Sequence, residues 1–517
     1  MSLLQPALEE LSHGPPGSHT HARSAVDLAM VVALSALLFA MSAHALLRGP
    51  WLDEFWTLEL SDPSRGLPGL SDGWLRDTHP PAFNVWATLL SSVGITSIPL
   101  ARVASNLPAA ALMFWAAAEA VRRRRADRHF HAALLLVVLA LPQSVVDFAN
   151  YRSYFWQIAA ITALVAVTRH VVMTKTDLEL RRDRGLVIVA VLATAGSIAL
   201  HYVGAIFGGL LAGAIILRAL QRGHWCWAGL VFGVASLAAL SVVAVALIQA
   251  RNWAVDLDHS WIEARPLAAV LAVPLALIAG AVVNNLVALA ALWPGWRRWS
   301  PSERVFVVLI AAVLAIGLVM VLAINAVQPI MIDRYLVAVP VLVAGILAAL
   351  MSRIDQHHSL HLLLALVAVA MVASPLLLQG AKPLWEEGAR SIEHVVKDCP
   401  TTRIYAASGW ALGPAAHTKA ARREDPVFQR AYQALARTHG YTVRFLGQNQ
   451  VAYVRPGTCP VLVWYEHTPT YAEDNLRAAI EAAGLTGMEE AHLTATRSPT
   501  GFVVRADAQG GEERIPE

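Results

Sequence analysis

Residues 305–324 read VFVVLIAAVLAIGLVMVLAI, an apolar run without a charged side chain. A helix needs about 20 such residues to cross the roughly 30 Å hydrocarbon core of a bilayer. The whole chain of 517 residues is 56% hydrophobic and only 15% charged, which is too apolar for a soluble protein. The run therefore indicates a membrane-spanning helix in a protein that belongs in a bilayer.

Other apolar runs of spanning length occur along the first three quarters of the sequence. They lie at 27–47, 102–121, 131–147, 153–172, 185–200, 203–218, 225–249, 266–293, 335–350 and 359–378. The first run is longer than the apolar core of a signal peptide, so we interpret it as an uncleaved helix. These runs predict an α-helical polytopic membrane protein of about eleven transmembrane helices.

Basic side chains in the loops predict the orientation, because cytoplasmic loops are enriched in Lys and Arg. The clusters are residues 122–125 with Arg128; Lys175 with Arg181, Arg182 and Arg184; Arg218 with Arg222; Arg297 with Arg298 and Arg304; and Arg353. All of them can be cytoplasmic only if the borderline run at 80–94 does not cross the membrane. That run is therefore expected to be an interfacial or re-entrant helix on the outer face. The amino terminus is then inside and the carboxyl terminus outside.

Residues 380–517 are more polar and predict a small soluble α/β domain. Buried strands are expected at 403–407, 461–465 and 502–505, and helices at 387–397, 426–439 and 471–484. Cys399 and Cys459 both lie in this domain, where an oxidising compartment would favour a disulfide. Residues 1–24 are expected to form a disordered cytoplasmic tail, and residues 25–379 the transmembrane domain.

The polar residues of the transmembrane region collect at the ends of helices that are predicted to face outward. Asp53 and Glu54 follow the first apolar run between aromatic residues, in surroundings that would suit a carboxylate to proton abstraction. A solvated acidic pair anchored by interfacial Trp is the alternative interpretation. His79 stands before the short run at 80–94 and could reach a phosphate or a metal, although it could equally belong to an ordinary helix start.

Two arginines in the same set, Arg152 and Arg334, fit an anionic lipid headgroup because a guanidinium binds phosphate bidentately at any pH. Snorkelling arginines are the alternative interpretation. The other polar residues at these helix ends are Asp147, Asn150, Tyr154, His201, Tyr202 and Tyr335.

The ordered set Asp53-Glu54, His79-Pro80-Pro81, Arg152-Ser153-Tyr154, His201-Tyr202 and Arg334-Tyr335-Leu336 resembles the dolichyl-phosphate-mannose protein mannosyltransferase family. That family is glycosyltransferase family 39, here its bacterial branch, within the C-type membrane glycosyltransferase (GT-C) superfamily. The resemblance covers roughly residues 25–350, and the set is more specific than any one of its motifs.

The resemblance implies an inverting transferase that uses a polyprenyl-phosphate sugar on the periplasmic face of the bacterial inner membrane. Asp53 then corresponds to the general base and Glu54 to its supporting acid. His79, Arg152, Arg334 and Tyr335 correspond to donor-phosphate contacts. The family commonly has an acidic residue where this chain has Asn150. Asp147 lies one helical turn away and could supply the acidic side chain instead.

Some questions stay open at the level of sequence. Some C-type relatives hold a divalent metal at the acidic pair, so a metal at Asp53 and Glu54 is one possibility. The sugar and the acceptor are not named by any motif, and the scattered basic residues imply no nucleic-acid partner. A polytopic transporter of a lipid-linked or small anionic substrate is the main alternative, and a glycan ligase or polymerase is a third.

Overall fold

The computed structural model describes residues 18–174, 183–254, 266–283, 299–352, 385–408, 419–446, 452, 459–466, 493–497 and 501–507. Its helices are α1 (Ser18–Leu47), α2 (Leu52–Leu60), α3 (Gly66–Arg76), α4 (Ala82–Ser92), α5 (Ile98–Arg123), α6 (Arg128–Ala140), α7 (Pro142–Phe148), α8 (Tyr154–Met173), α9 (Arg184–Ala199), α10 (Tyr202–Gln221), α11 (Trp225–Ala254), α12 (Leu267–Val283), α13 (Pro301–Val327), α14 (Ala338–Met351), α15 (Trp385–Asp398) and α16 (Lys419–Thr438). Its strands are β1 (Arg403–Ser408), β2 (Arg444–Phe445), β3 (Val461–Glu466), β4 (Leu493–Arg497) and β5 (Gly501–Ala506). This mostly helical chain with a small sheet confirms the predicted fold class.

Within the described residues, 5 helices are long and apolar enough to cross a membrane, or up to 7 if each bent pair counts as one span. The predicted run at 131–147 is one of these pairs, since α6 and α7 meet at 68°. Pro142 accounts for the break, because proline starts a helix readily and cannot continue one. Three of the predicted spans are shorter apolar helices, α9, α12 and α14. The run at 359–378 lies outside the described residues.

The run at 80–94 forms α4, a helix of 11 residues. Such a helix is about 16 Å long, which is too short to span a bilayer. The helix α1 begins at Ser18, within the segment for which a disordered tail is expected. Residues 1–17 lie outside the described part, and the extent of the tail stays a prediction. The orientation of the helices in the membrane stays a prediction.

The chain divides into two compact units. The first comprises Met1–Leu46, Val103–Ala244 and Ile262–Gln379, and the second comprises Leu47–Arg102, Val245–Trp261 and Gly380–Glu517. The second unit therefore contains two segments of the predicted transmembrane domain as well as the predicted C-terminal domain. The sequence-based domain boundaries themselves stay a prediction.

The first unit is built around α8, of which nearly every side chain is buried. Glycines let α10 approach its neighbours closely: a Cβ at Gly208 would collide with Ser197 of α9, and one at Gly317 of α13 would collide with Phe207. Small residues at helix contacts are typical of membrane proteins, where close van der Waals packing replaces the hydrophobic effect.

A buried ion cluster ties three helices of this unit together at the end of α8. Arg169 Nη2 lies 3.1 Å from Asp127 Oδ1, just before α6, and 3.4 Å from Glu303 Oε1 in the first turn of α13. The guanidinium also lies over the rings of Phe130 and Phe306, at 4.7 and 5.3 Å from their centroids. Removing one member of such a cluster would cost about 3–5 kcal/mol, because it leaves a buried charge unpaired.

The second unit contains a five-stranded sheet of order β2-β1-β3-β5-β4. β1 is parallel to β2 and β3, whereas β5 is antiparallel to β3 and β4. All of β3 is buried, as expected for a strand that is covered on both faces. The three strands and the helices at 387–397 and 426–439 that the sequence predicts are confirmed, while β2 and β4 were not predicted and the helix at 471–484 lies outside the described residues.

The predicted disulfide between Cys399 and Cys459 is present, with the two Cα atoms 5.6 Å apart. It joins the residue after α15 to the start of β3, across a separation of 60 residues. Cross-linking a loop of this length restricts the unfolded chain and contributes roughly 2–4 kcal/mol to stability.

Candidate active site

Asp53 and Glu54 lie in the first turn of α2, where carboxylates are favoured by the helix dipole. Glu54 Oε2 accepts a hydrogen bond from the Trp51 backbone N at 3.1 Å, and this bond caps the start of the helix. The two carboxylates then differ in their surroundings. Glu54 is completely buried, while Asp53 is partly exposed.

Glu54 forms a bidentate ion pair with Arg102, which is also completely buried. Arg102 Nε lies 2.6 Å from Glu54 Oε1, and Nη2 lies 2.5 Å from Oε2. The same guanidinium donates to the carbonyl oxygens of Arg48 and Gly49. Arg102 therefore fixes both the carboxylate and the chain that leads into α2.

These contacts do not fit a metal ion at the acidic pair, because the carboxylate of Glu54 already accepts from Arg102 and from the Trp51 N–H. Among the residues that the structure describes, no group of three or more His, Cys, Asp or Glu side chains could hold a metal ion. Glu54 is better placed to orient α2 than to exchange a proton.

His79 is buried at the turn before α4 and is held through its backbone and its ring. Its carbonyl oxygen accepts from Gln249 Nε2 at 3.0 Å, and its Nδ1 lies 3.0 Å from Thr78 Oγ1 and 3.7 Å from Asp77 Oδ1. Asp77 in turn accepts from the Thr78 N–H at 2.7 Å and from Asn84 Nδ2 at 2.9 Å. The Thr78 hydroxyl therefore holds the imidazole at Nδ1, and the carboxylate of Asp77 lies within ion-pair range of the same atom.

In the first unit, four of the predicted residues form one aromatic and basic group. The His201 ring lies 4.6 Å from the Tyr335 ring and 5.9 Å from the Tyr154 ring, centroid to centroid. The guanidinium carbon of Arg334 lies 5.9 Å from the centroid of Tyr335. The structure therefore brings together residues from the starts of α8 and α10 and from the turn before α14.

His201 also caps α10, because its Nδ1 accepts from the Val203 N–H at 3.2 Å. An Nδ1 that accepts cannot carry the proton, so Nε2 carries it in the neutral ring. His201 therefore presents an N–H donor among the tyrosines. Tyr202 is the first residue of α10 and is half-buried.

Asp147 and Asn150 form a second group in this unit. Asp147 Oδ2 accepts from Gln143 Nε2 at 2.8 Å, and its Oδ1 lies 3.4 Å from Asn150 Nδ2. Asn106 Nδ2 donates to the carbonyl oxygens of Phe148 and Asn150, which holds the turn. Arg152 follows this turn and is 7% exposed.

Several residues of these groups were not predicted from the sequence, namely Arg102, Asp77, Asn84, Gln249 and Asn106. The signal for Arg102 was available, because it starts an apolar run at 102–121 and a charge beside such a run is costly unless it is paired. Asp53, Glu54 and His79 belong to the second unit, and the other predicted residues belong to the first.

A scan against protein-family models finds no match, and no curated protein matches the sequence. Solved structures that match include ArnT from Cupriavidus metallidurans in the apo state, with a TM-score of 0.53, 14% identity and coverage of 92% of this chain and 97% of that chain. The same protein bound to undecaprenyl phosphate matches with a TM-score of 0.52, 15% identity and the same coverage. At 14% and 15% identity this likeness shows a shared fold, and it does not show glycosyltransferase family 39. The chain therefore shares its overall fold with ArnT.

Proposed function

We propose that the protein is an inverting membrane glycosyltransferase that moves a sugar from a polyprenyl-phosphate donor to a lipid, glycan or protein acceptor. The observation that carries this proposal is the likeness, over 92% of the chain, to a structure that was solved with undecaprenyl phosphate bound. The basic and aromatic residues at helix ends support it, because they suit the phosphate and the sugar of such a donor.

The proposed transfer requires that the leaving phosphate be stabilised and that the acceptor hydroxyl be deprotonated. The bond between the anomeric carbon and the phosphate oxygen must break, and the phosphate that leaves carries a negative charge. Arg152, Arg334 and the Nε2–H of His201 are suited to stabilise that charge. His79 is a further donor-phosphate contact in this proposal, and Tyr335 supports Arg334 through its ring.

The acceptor hydroxyl must lose its proton as its oxygen bonds to the anomeric carbon from the opposite side. Asp53 is the base in this proposal, since it is the partly exposed carboxylate of the pair. Glu54 holds the start of α2 through Arg102 and does not take part in proton transfer. Both proton and leaving group are thereby accounted for without a metal ion.

We further propose that the membrane is the bacterial inner membrane and that the C-terminal domain is extracytoplasmic. The basic loop clusters support this orientation. The disulfide between Cys399 and Cys459 supports it independently, since disulfides persist in oxidising compartments.

Reconstitution in proteoliposomes tests the activity. Purified protein is mixed with several radiolabelled polyprenyl-phosphate sugars and a total-lipid extract, without an ion gradient. The proposal expects label to move from at least one donor into an acceptor, with release of polyprenyl phosphate. If none of the donors is discharged and at least one of them is taken up in a gradient-dependent manner, the protein is a transporter and the proposal is overturned.

A further inference from the structure

The helix that carries Asp53 packs on the C-terminal domain. Leu52 and Phe55 of α2 belong to the same buried cluster as Trp385 of α15 and Phe428 and Tyr432 of α16. The cluster continues into the sheet through Ile404, Leu462, Trp464 and Val503. A helix of 9 residues is too short to be stable alone in water, so α2 depends on this packing for its position.

Ion pairs fix the far end of the same helix. Arg430 of α16 places Nη2 3.1 Å from Glu59 Oε2 and 2.8 Å from Asp62 Oδ2. Asp62 Oδ1 accepts from the Ser64 N–H and Oγ, which turns the chain after α2. Burial raises the pKa of Asp62, but the hydrogen bonds from Ser64 and Arg430 outweigh that effect, and the net pKa is lowered.

Helical geometry shows why these contacts matter for Asp53. With about 100° per residue, Leu52, Phe55 and Glu59 recur on one side of α2. Glu54, which pairs with Arg102, lies about 200° from Leu52 and therefore on the other side. Asp53 lies between the two held sides and is the carboxylate that stays partly exposed.

From this arrangement we infer that the C-terminal domain is a positioning element for the active site, and that Arg430 is a positioning residue that sets the place of Asp53 through α2. The inference rests on the proposed function for its catalytic part. It gives the C-terminal domain a role that requires no ligand of its own. In this inference Arg430 acts through Glu59 and Asp62 at the end of α2, so its loss should affect the rate of transfer more than the binding of the donor.

The test compares Arg430→Gln with Arg430→Lys and with Arg437→Gln in full-length protein. Arg437 is exposed in the last turn of the same helix, so Arg437→Gln makes the same charge change away from α2. We expect Arg430→Gln to lower kcat about 10-fold or more with an unchanged KM for the donor, because small misplacement of a reacting group is costly. Arg430→Lys should restore most of the rate, and Arg437→Gln should behave as wild type.

Hydrogen exchange separates positioning from general damage. The amides of α2 should exchange at least several-fold faster in Arg430→Gln, while those of α8 keep their wild-type rates. Wild-type kcat and wild-type exchange in α2 for Arg430→Gln would overturn the inference, as would equal acceleration in α8. An inactive wild-type protein would instead refute the proposed function, and the exchange of α2 would still decide whether Arg430 holds the helix.

Discussion

Arg102 donates to both carboxylate oxygens of Glu54, with Nε 2.6 Å from Oε1 and Nη2 2.5 Å from Oε2, and neither residue has any exposed surface. A buried pair of this kind contributes little net stability compared with apolar residues, but each partner is costly without the other. Its effect is to specify where α2 begins, since the same guanidinium holds the carbonyl oxygens of Arg48 and Gly49.

Replacing one partner of this pair should therefore destabilise the protein strongly. We expect Arg102→Leu to lower the free energy of unfolding by about 3–5 kcal/mol, since it leaves the Glu54 carboxylate buried and unpaired. The double variant Glu54→Leu with Arg102→Leu should recover part of that loss. Reversible unfolding in mixed micelles measures both values.

Arg122→Leu is the matched control for this experiment. Arg122 lies on the same helix, and its side chain is 60% exposed in its pair with Glu119. A surface pair of this kind is worth about 0–1 kcal/mol, so the control should change stability by no more than that. Equal effects of Arg102→Leu and Arg122→Leu would contradict the assignment of a structural ion pair.

The proposed role of Asp53 as the base predicts a loss of rate without a loss of donor binding. Asp53→Asn keeps the shape of the side chain and should lower kcat roughly 10²–10⁴-fold, the usual contribution of a positioned base. Donor binding, measured by isothermal titration, should stay unchanged. Asp72→Asn on α3 is the control, since Asp72 is exposed. Wild-type turnover by folded Asp53→Asn would move the base to another carboxylate such as Asp147.

The proposed contact of Arg334 with the donor phosphate predicts a loss of donor binding. Arg334→Ala should weaken the binding of the proposed polyprenyl-phosphate donor about 10-fold or more, because a hydrogen bond to a charged group is worth roughly 1.5–3 kcal/mol. Arg334→Lys should retain part of the affinity through its charge. Binding to the reconstituted protein is measured beside Arg304→Ala, which removes an exposed arginine. Unchanged affinity in Arg334→Ala would exclude this contact.

The lowered pKa of Glu393 in α15 predicts that the stability of the C-terminal domain depends on pH. A hydrogen bond from Lys397, and next one involving His439, lower the pKa of Glu393 from 4.5 to about 2. Because the pKa is lower in the folded state, the stabilisation is complete above about pH 4.5 and is lost as the pH falls toward 2. Glu393→Gln should therefore have a lower Tm than wild type at pH 7, and the gap should narrow below pH 4.5.

The Tm is measured by thermal unfolding across this pH range, and hydrogen exchange of the α15 amides is measured under the same conditions. Glu387→Gln is the control, because Glu387 is an exposed residue of the same helix. A gap between wild type and Glu393→Gln that does not change with pH would contradict the linkage.

The cysteines give a further prediction on location. Without reduction, a membrane-permeable maleimide should modify only Cys226 of the 3 cysteines, because Cys399 and Cys459 are bonded. After reduction all of them should react. In separate single-cysteine variants, an impermeable reagent should label the C-terminal domain from outside the cell and the loop near Ala126 only from the cytoplasm. The reverse pattern would overturn the predicted orientation.

Hydropathy was sufficient to locate most helices, because a spanning helix must be apolar along its whole length. Hydropathy did not predict the break between α6 and α7, because Pro142 bends the apolar run without making it less apolar. The strands β4 and β2 have only 5 and 2 residues, and such short segments carry too little pattern for a prediction.

The candidate site was predictable by residue type but not by partner. Asp53 and Glu54 are neighbours in the sequence and look alike, yet Arg102, 48 residues beyond Glu54, decides which of them is buried. The contact of His201 with Tyr335 likewise depends on the packing of separate helices. Such side-chain pairings depend on the tertiary structure, and they cannot be predicted from the pattern of a single sequence.

The core shared by α2 and the C-terminal domain has a consequence for biosynthesis. Every candidate site residue lies before α15, so a ribosome has made the complete set long before it makes the helix and strands on which α2 packs. A nascent or truncated chain that ends before Trp385 would hold the whole set, yet its Asp53 would lie on an unsupported helix of 9 residues. If Asp53 is the base, as proposed, donor lipid in the membrane meets a competent base only after the C-terminal domain has folded, and incomplete chains do not discharge it.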